Sequence, residues 1–138
     1  MNVHVSQNIF TQLWEKFMLI APYSGIRALT RSPIGVIRSL PETREMLVDS
    51  IREVFEVARA NKIAMEEKSI DETIDFIDEV PPEGTASMQR DIMEGRPSEL
   101  YEQSGAVVRY GEKGKVRTPV NRFIFHTLLP LERKSRGI

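Results

Sequence analysis

Apolar side chains recur along most of this chain at every third or fourth position, the spacing that places them on one face of an α-helix. The clearest stripe consists of Leu47, Ile51, Val54, Phe55 and Ala58. It predicts a long central helix that begins at Pro41, and Asn61 is expected to end that helix in a left-handed turn. Because nearly every segment repeats this spacing, the pattern predicts an all-α domain.

Prolines and glycines divide the first part of the chain into shorter helices. A first helix is predicted over residues 6–21, with its apolar face formed by Phe10, Leu13, Trp14 and Phe17. Pro22 and Gly25 are expected to interrupt it before an amphipathic piece over residues 24–31. Ser32-Pro33 then opens another turn or helix that runs to about residue 40.

The second half of the chain carries further start and stop signals. Ser69 and Glu72 form a capping-box pattern at the start of a helix that runs to Pro81-Pro82. Helices are also predicted over residues 86–94 and 98–113, and Thr118-Pro119 is expected to cap a last helix. The apolar face of that last helix is predicted to consist of Val120, Phe123, Ile124 and Leu128. Only residues 3–5 alternate like a strand. We expect one all-α domain over residues 1–138 with about six or seven helices.

Composition excludes several classes of function. Nineteen Lys and Arg residues against 20 Asp and Glu residues give a net charge of -1, which disfavours a general nucleic-acid binder. The chain has no cysteine, and its two histidines, His4 and His126, lie far apart in sequence without further ligands at metal spacing. No apolar run approaches the length of a membrane span. We therefore expect a cytoplasmic protein without a metal, and the basic tail at residues 133–136 is expected to be a solvated, frayed end.

The glycines offer no phosphate-binding loop. They stand at positions 25, 35, 84, 95, 105, 111, 114 and 137. No two of them are separated by a single residue, so a GxGxxG turn cannot form, and no Gly-Lys-Ser/Thr sequence is present. This chain by itself therefore has no recognisable means of holding a nucleotide.

Lys16 is unusual because it falls among apolar residues of a helix that the pattern predicts to be largely buried. One interpretation is that its stem lies along the apolar face while the ammonium group reaches water. The other is a partly desolvated lysine in a cleft, able to deliver a proton to a substrate. A second unusual region, residues 85–99, contains Ser87, Asp91 and Glu99, and its composition fits either helix capping with surface ion pairs or a binding site.

These two regions resemble the C-terminal domain of the ketopantoate reductases (2-dehydropantoate 2-reductases). The similar motifs are Leu-Trp-Glu-Lys at 13–16, Thr-Ala-Ser-Met-Gln-Arg-Asp-Ile at 85–92, Gly-Arg-Pro-Ser-Glu at 95–99, Ser-Gly at 104–105 and Thr-Pro-Val-Asn at 118–121. The resemblance covers essentially the whole chain. It implies the all-α fold of the 6-phosphogluconate dehydrogenase C-terminal-domain-like group, preceded in the family by a Rossmann domain that this chain lacks.

The resemblance also implies roles for individual residues. Lys16 matches the family's general acid, which protonates the ketone of the substrate as hydride arrives from NADPH in pantothenate biosynthesis. Ser87 matches a serine that hydrogen-bonds the substrate, and Glu99 matches a glutamate that contacts the cofactor. Asp91 follows Ser87 by four residues, so it would share a helical face with Ser87 and could orient Lys16 or brace the motif.

Two positions depart from the family pattern. The family places asparagines four and eight residues after the lysine, where this chain has Ile20 and Ser24. Ser24 can still donate a hydrogen bond to a substrate, whereas Ile20 cannot. We therefore expect the substrate to be ketopantoate, a related 2-oxo acid or a less polar ketone.

Two functions remain open from the sequence. The first is one half of an NADPH-dependent reductase, inactive alone, in which a Rossmann domain in cis or in trans completes the active site. The second is a non-enzymatic helical module that pairs with itself as a homodimer or with a separate nucleotide-binding subunit. An upstream GxGxxG segment in the same reading frame would favour the first.

Overall fold

The computed structural model describes residues 3–83, 90–92 and 94–138, with side chains described from Ile9 onward. Its helices are α1 (Val3–Thr30), α2 (Ile34–Ser39), α3 (Pro41–Ala60), α4 (Lys68–Glu79), α5 (Ser104–Gly114) and α6 (Pro119–Ser135). Residues 90–92 are helical as well, and the described ranges contain no strand. The prediction of an all-α domain is confirmed.

Helix α3 is the centre of the domain, and it contacts each of the other five helices. Its predicted stripe is fully inside: Ile51, Val54 and Ala58 are closed to solvent, and Leu47 and Phe55 are nearly so. Pro41 is the first residue of the helix, as predicted. The left-handed residue that follows is Lys62, with φ of 66°, rather than Asn61, whose φ is -93°. The Asn61 amide instead donates to the carbonyls of Val57 and Tyr110.

The prediction that the first helix stops at Pro22 was wrong, because α1 continues through that proline to Thr30. A proline inside a helix removes one backbone hydrogen bond and costs about 3 kcal/mol. Around Pro22, however, Met18, Ala21 and Ile26 are completely buried in the core, and this burial offsets the cost. Residues 3–5, predicted as a strand, belong to the same helix.

Two other helix starts differ from their predictions. Helix α4 begins at Lys68, so Ser69 is inside the helix and makes no capping contact; its carbonyl accepts a hydrogen bond from the Thr73 hydroxyl. Helix α5 begins at Ser104 rather than at Ser98. The cap predicted for the last helix also differs from the one observed. Thr118 occupies the N-cap position of α6 without a side-chain capping bond.

The start of α6 is instead capped by a carboxylate from α3. Glu53 accepts hydrogen bonds from the backbone N–H groups of Val120 and Asn121 at 2.9 and 3.0 Å, and a third from the Asn121 side-chain amide at 2.9 Å. A negative charge at the positive end of a helix is favourable, and here it also fixes α6 against α3.

A second carboxylate, Glu132, organises the C-terminal end of the chain. It is only 1% exposed, and it accepts hydrogen bonds from the Ser98 N–H at 3.0 Å, the Ser98 hydroxyl at 2.7 Å and Arg136 Nε at 2.6 Å. Arg136 Nη2 donates to the Ser98 carbonyl at 2.9 Å. The expectation of a frayed basic tail was therefore wrong for Arg136. These hydrogen bonds hold Ser98 outside any helix, which explains why α5 begins later than predicted.

The segment after α4 is held by α2. Two carbonyls at the end of α4, those of Ile77 and Val80, accept hydrogen bonds from Arg38 at 2.8 Å. Gly35 N–H donates to the Pro82 carbonyl at 3.0 Å, and a Cβ at position 35 would lie 2.6 Å from Pro82 Cβ. Only glycine permits this approach without a backbone shift. Residues 80–82 are thereby anchored immediately before the segment that contains Ser87.

Several large apolar side chains remain on the surface. Phe10 and Leu13 of α1, both predicted to face the core, are 56% and 57% exposed, and Phe123 of α6 is 58% exposed. These predictions were wrong because no described element packs against those parts of the two helices. None of the helices described is long and apolar enough to cross a membrane.

We predict that Glu132→Gln lowers the free energy of unfolding by about 2 kcal/mol, because one acceptor oxygen becomes an NH₂ group facing the N–H donors of Ser98 or Arg136. Urea titration of the purified variant measures the loss. Glu45→Gln, on the exposed surface of α3, is the control and should change stability by less than about 0.5 kcal/mol. Equal stability of the two variants would contradict the role assigned to Glu132.

Candidate functional site

Four residues in the middle and second half of α1 share one face of the helix. Lys16, Ile20, Ser24 and Arg27 fall within an arc of about 80° when successive residues are rotated by 100°. Gly25 lies on the opposite side, where a Cβ would be 3.0 Å from both Ile124 Cγ2 and Ser104 Oγ. The close packing of α1 on α5 and α6 at Gly25 therefore turns the face with Lys16 away from those two helices.

The exposure of this face decreases along the helix. Lys16 is exposed, Ile20 is half-buried, and Ser24 is buried. The expectation that Lys16 lies in a largely buried part of its helix was wrong, because no described element covers its side of α1. Any desolvation of its ammonium group must therefore come from something outside the described residues.

Asp91 and Arg96 form the best-defined contact of the second region. The Asp91 carboxylate accepts hydrogen bonds from Arg96 Nη2 at 2.9 Å and Nε at 3.2 Å, and its carbonyl accepts one from the Arg96 N–H at 2.8 Å. Arg96 also pairs with Glu94. Among the ion pairs of the described residues, none joins Asp91 to Lys16, and the pair with Arg96 links Asp91 to its own segment. Ser87 lies outside the described residues.

Glu99 follows on the exposed side of the same region. Its carboxylate accepts a hydrogen bond from the Gln103 amide at 3.0 Å, and Gln103 immediately precedes α5. Next to Glu99, Ser98 is anchored to Glu132 and its hydroxyl accepts the Leu100 N–H at 3.2 Å. The position of Glu99 is thus fixed by structural contacts on both sides, while its carboxylate remains accessible.

Arg27 was not identified from the sequence. It is 1% exposed, and its guanidinium group lies over the Tyr23 ring with Cζ 4.5 Å from the ring centroid. Among the described residues, neither Nε nor Nη2 has a hydrogen-bond partner. Burial lowers the pKa of Arg27, the Tyr23 hydroxyl opposes this shift, and the charge of Arg90 adds to it. The sequence signal that could have revealed Arg27 is its place on the face with Lys16 and Ser24.

An apolar groove of about 370 Å³ lies beside this face, between α1 and α5. Leu13, Trp14 and Phe17 form one wall, and Ala106 and Tyr110 form the other. The Trp14 ring makes edge contacts with Phe17 and Tyr110, each at 5.4 Å between centroids. The aromatic contacts join the first half of α1 to α5, and Leu13 remains largely exposed at the edge of the groove.

The described residues contain no group of histidine, aspartate and glutamate side chains arranged to hold a metal ion. They also offer no glycine-rich turn at a helix start that could hold a nucleotide phosphate. The chemical groups available are therefore the accessible ammonium of Lys16, the buried hydroxyl of Ser24, the buried guanidinium of Arg27 and the accessible carboxylate of Glu99.

Comparison with known families shows which family the chain belongs to. The sequence model of the family described as the ketopantoate reductase PanE/ApbA C-terminal domain matches residues 8–132. The chain belongs to the ketopantoate reductase C-terminal domain family. The resemblance inferred from the motifs around Lys16 and Asp91 is thereby confirmed.

Curated relatives agree with this membership. The chain is 30% identical over 126 residues to a 2-dehydropantoate 2-reductase of Pyrobaculum aerophilum, covering 91% of this chain and 45% of that protein. It is 30% identical over 122 residues to a 2-dehydropantoate 2-reductase of Aquifex aeolicus, covering 86% of this chain and 39% of that protein. The ketopantoate reductase domain described here thus spans less than half the length of these relatives.

Solved structures share the fold. A dimeric ketopantoate reductase from Staphylococcus aureus superposes with a TM-score of 0.85 at 22% identity, covering 91% of this chain and 44% of that one. A PanE/ApbA family ketopantoate reductase from Ralstonia eutropha gives a TM-score of 0.80 at 27% identity, with 91% and 42% covered. A D-mandelate dehydrogenase in ternary complex with NADH and anilino(oxo)acetate also gives 0.80, at 22% identity, with 94% and 42% covered.

Proposed function

We propose that this domain binds the substrate of an NADPH-dependent 2-oxo acid reductase and that Lys16 is its general acid. The observation that supports the proposal most strongly is the graded face of α1, in a chain that belongs to the ketopantoate reductase family. An accessible ammonium stands at its outer end, and a buried hydroxyl, that of Ser24, lies two turns further in. Such a face offers a proton donor for a ketone and a polar contact for the rest of a small substrate.

Lys16 would act by donating a proton to the carbonyl oxygen as hydride adds to the carbon. The same ammonium would stabilise negative charge developing on that oxygen. Its face of α1 also carries Ile9 and Leu13, which are 49% and 57% exposed. A second domain covering these apolar side chains would exclude water around Lys16 and strengthen its interaction with the oxyanion.

The described residues do not fit a nucleotide on their own, because they lack a phosphate-binding turn. A bound nicotinamide cofactor would supply the hydride. We propose that a Rossmann domain, in cis or in trans, holds this cofactor and that Glu99 contacts it at the domain boundary. The isolated chain would then be inactive.

Ser24, Ser87 and Asp91 complete the proposed substrate site. Ser24 and Ser87 would hydrogen-bond the substrate, and Asp91, through its ion pair with Arg96, would keep the segment around Ser87 in place. Ile20 offers no polar group. We therefore propose ketopantoate or a less polar 2-oxo acid as the substrate.

The exposed apolar residues on α1 also favour a second candidate, a non-enzymatic module that binds a copy of itself or a nucleotide-binding subunit through this surface. The two candidates differ in what Lys16 does. A binding module requires no proton donor, whereas a reductase does.

In the protein joined to its nucleotide-binding domain, Lys16→Ala should lower kcat by about 100-fold or more while leaving NADPH affinity nearly unchanged, because only the proton donor is removed. The decrease is measured by NADPH oxidation under saturating substrate. Lys113→Ala, an exposed lysine in α5, is the matched control and should keep the normal rate. Unchanged turnover in Lys16→Ala would remove Lys16 as general acid.

Ile20→Asn should shift specificity toward ketopantoate relative to 2-oxo acids without a hydroxyl, by about 10-fold in the ratio of kcat/KM values. The reason is that an amide at this half-buried position supplies the hydrogen-bond partner that isoleucine lacks. The readout is a pair of kinetic titrations on each variant. If the ratio is the same in the wild type and in the variant, position 20 is not a determinant of the substrate.

A further inference from the structure

The buried guanidinium of Arg27 is the least explained group in the described chain. A buried charge is stable only when opposing charge and hydrogen bonds replace the water that it has lost. Among the described residues, the Tyr23 ring covers one face of the group, and no acceptor meets Nε or Nη2. The charge of Arg90, which has the same sign, also acts on Arg27.

The position of Arg27 connects it to the proposed substrate site. It follows Ser24 by three residues and Ile20 by seven, so the three side chains share one face of α1. Its guanidinium reaches back one helical turn to Tyr23. Tyr23 follows Lys16 by seven residues, so the Arg27 guanidinium lies about 10.5 Å from the backbone of Lys16 along the helix axis.

A 2-oxo acid matches this separation. A hydrogen bond from an ammonium to the ketone, the step to the adjacent carboxylate and a second hydrogen bond to a guanidinium together span about 8 Å. The flexible lysine side chain can cover the remaining difference. A guanidinium group is also the side chain best suited to bind a carboxylate, through two parallel N–H donors.

We propose that Arg27 binds the carboxylate of the 2-oxo acid and so selects acids over neutral ketones. This inference rests on the proposed function, and it assigns Arg27 a role in binding, with no part in the transfer of hydride or proton. Because Arg27 is closed to solvent in the ligand-free chain, the anion reaches it when the half-buried Tyr23 ring moves aside. The ligand would then provide the acceptors that the described residues lack.

The first test measures binding without turnover. Thermal unfolding of the protein, joined to its nucleotide-binding domain, is followed with 2-oxoisovalerate and separately with its uncharged methyl ester. We expect the acid to raise Tm more than the ester in the wild type. This difference should disappear in Arg27→Met and persist in Arg133→Met, which alters an exposed arginine of α6. No acid-specific rise in the wild type would overturn the inference.

The ligand-free Tm values separate binding from a structural role. Arg27→Met removes a buried charge and keeps an apolar stem, so its ligand-free Tm should equal or exceed that of the wild type by a few degrees. A clear fall in Tm with the acid-specific rise intact would show that Arg27 is an internal structural cation. Arg27→Lys keeps the charge without the paired donors, and partial recovery of the acid-specific rise is expected.

The second test uses the reaction. Arg27→Met should lower the ratio of kcat/KM for the acid to kcat/KM for the methyl ester by about 100-fold, mainly through KM for the acid. An unchanged ratio with normal turnover would overturn the inference and leave the proposed reductase intact. If the wild type reduces neither compound nor any other 2-oxo acid, the proposed function fails, and the thermal measurements still decide whether Arg27 binds carboxylates.

Discussion

The domain depends on the burial of the apolar face of α3. Ile51, Val54 and Ala58 are closed to solvent, and α1, α2, α4, α5 and α6 all pack on this helix. A helix that takes part in so many contacts fixes the positions of its neighbours, because close-packed interiors tolerate little displacement. The second half of α1 is held inside for this reason, and its polar residues are buried with it.

Two buried or half-buried carboxylates add hydrogen bonds that fix the start of α6 and the segment before α5. Glu53 ties the start of α6 to α3, and Glu132 ties Ser98 to the end of α6. At the other end of the region, Pro82 rests on Gly35 of α2. Pro82, ahead of Asp91 in the sequence, and Ser98, next to Glu99, are thus each held by contacts with other helices. In the proposed function, the face of α1 and the residues Asp91 and Glu99 would supply polar groups to a site completed by a Rossmann domain.

Features that depend on local interactions could be predicted from the sequence, whereas features that depend on contacts between distant residues could not. The stripe of α3 and its start at Pro41 could be predicted because helical periodicity is local. The passage of α1 through Pro22 could not, since it depends on burial against other helices. The same holds for the cap of α6, where the residue that binds the Asn121 N–H is 68 positions away in the sequence. At the candidate site, the motifs pointed to Lys16, whose role stays a prediction. The burial of Arg27 could not be predicted, because an isolated arginine in a sequence usually indicates a surface position.

The decisive experiment is NADPH oxidation by this chain joined to the Rossmann domain proposed for it, with a panel of 2-oxo acids of graded polarity that includes ketopantoate. We expect saturable, substrate-dependent oxidation with at least one member of the panel, and none when the 138-residue chain is supplied alone. Absence of oxidation with every 2-oxo acid, in a preparation that binds NADPH and is folded, would contradict the assignment of this domain to a reductase.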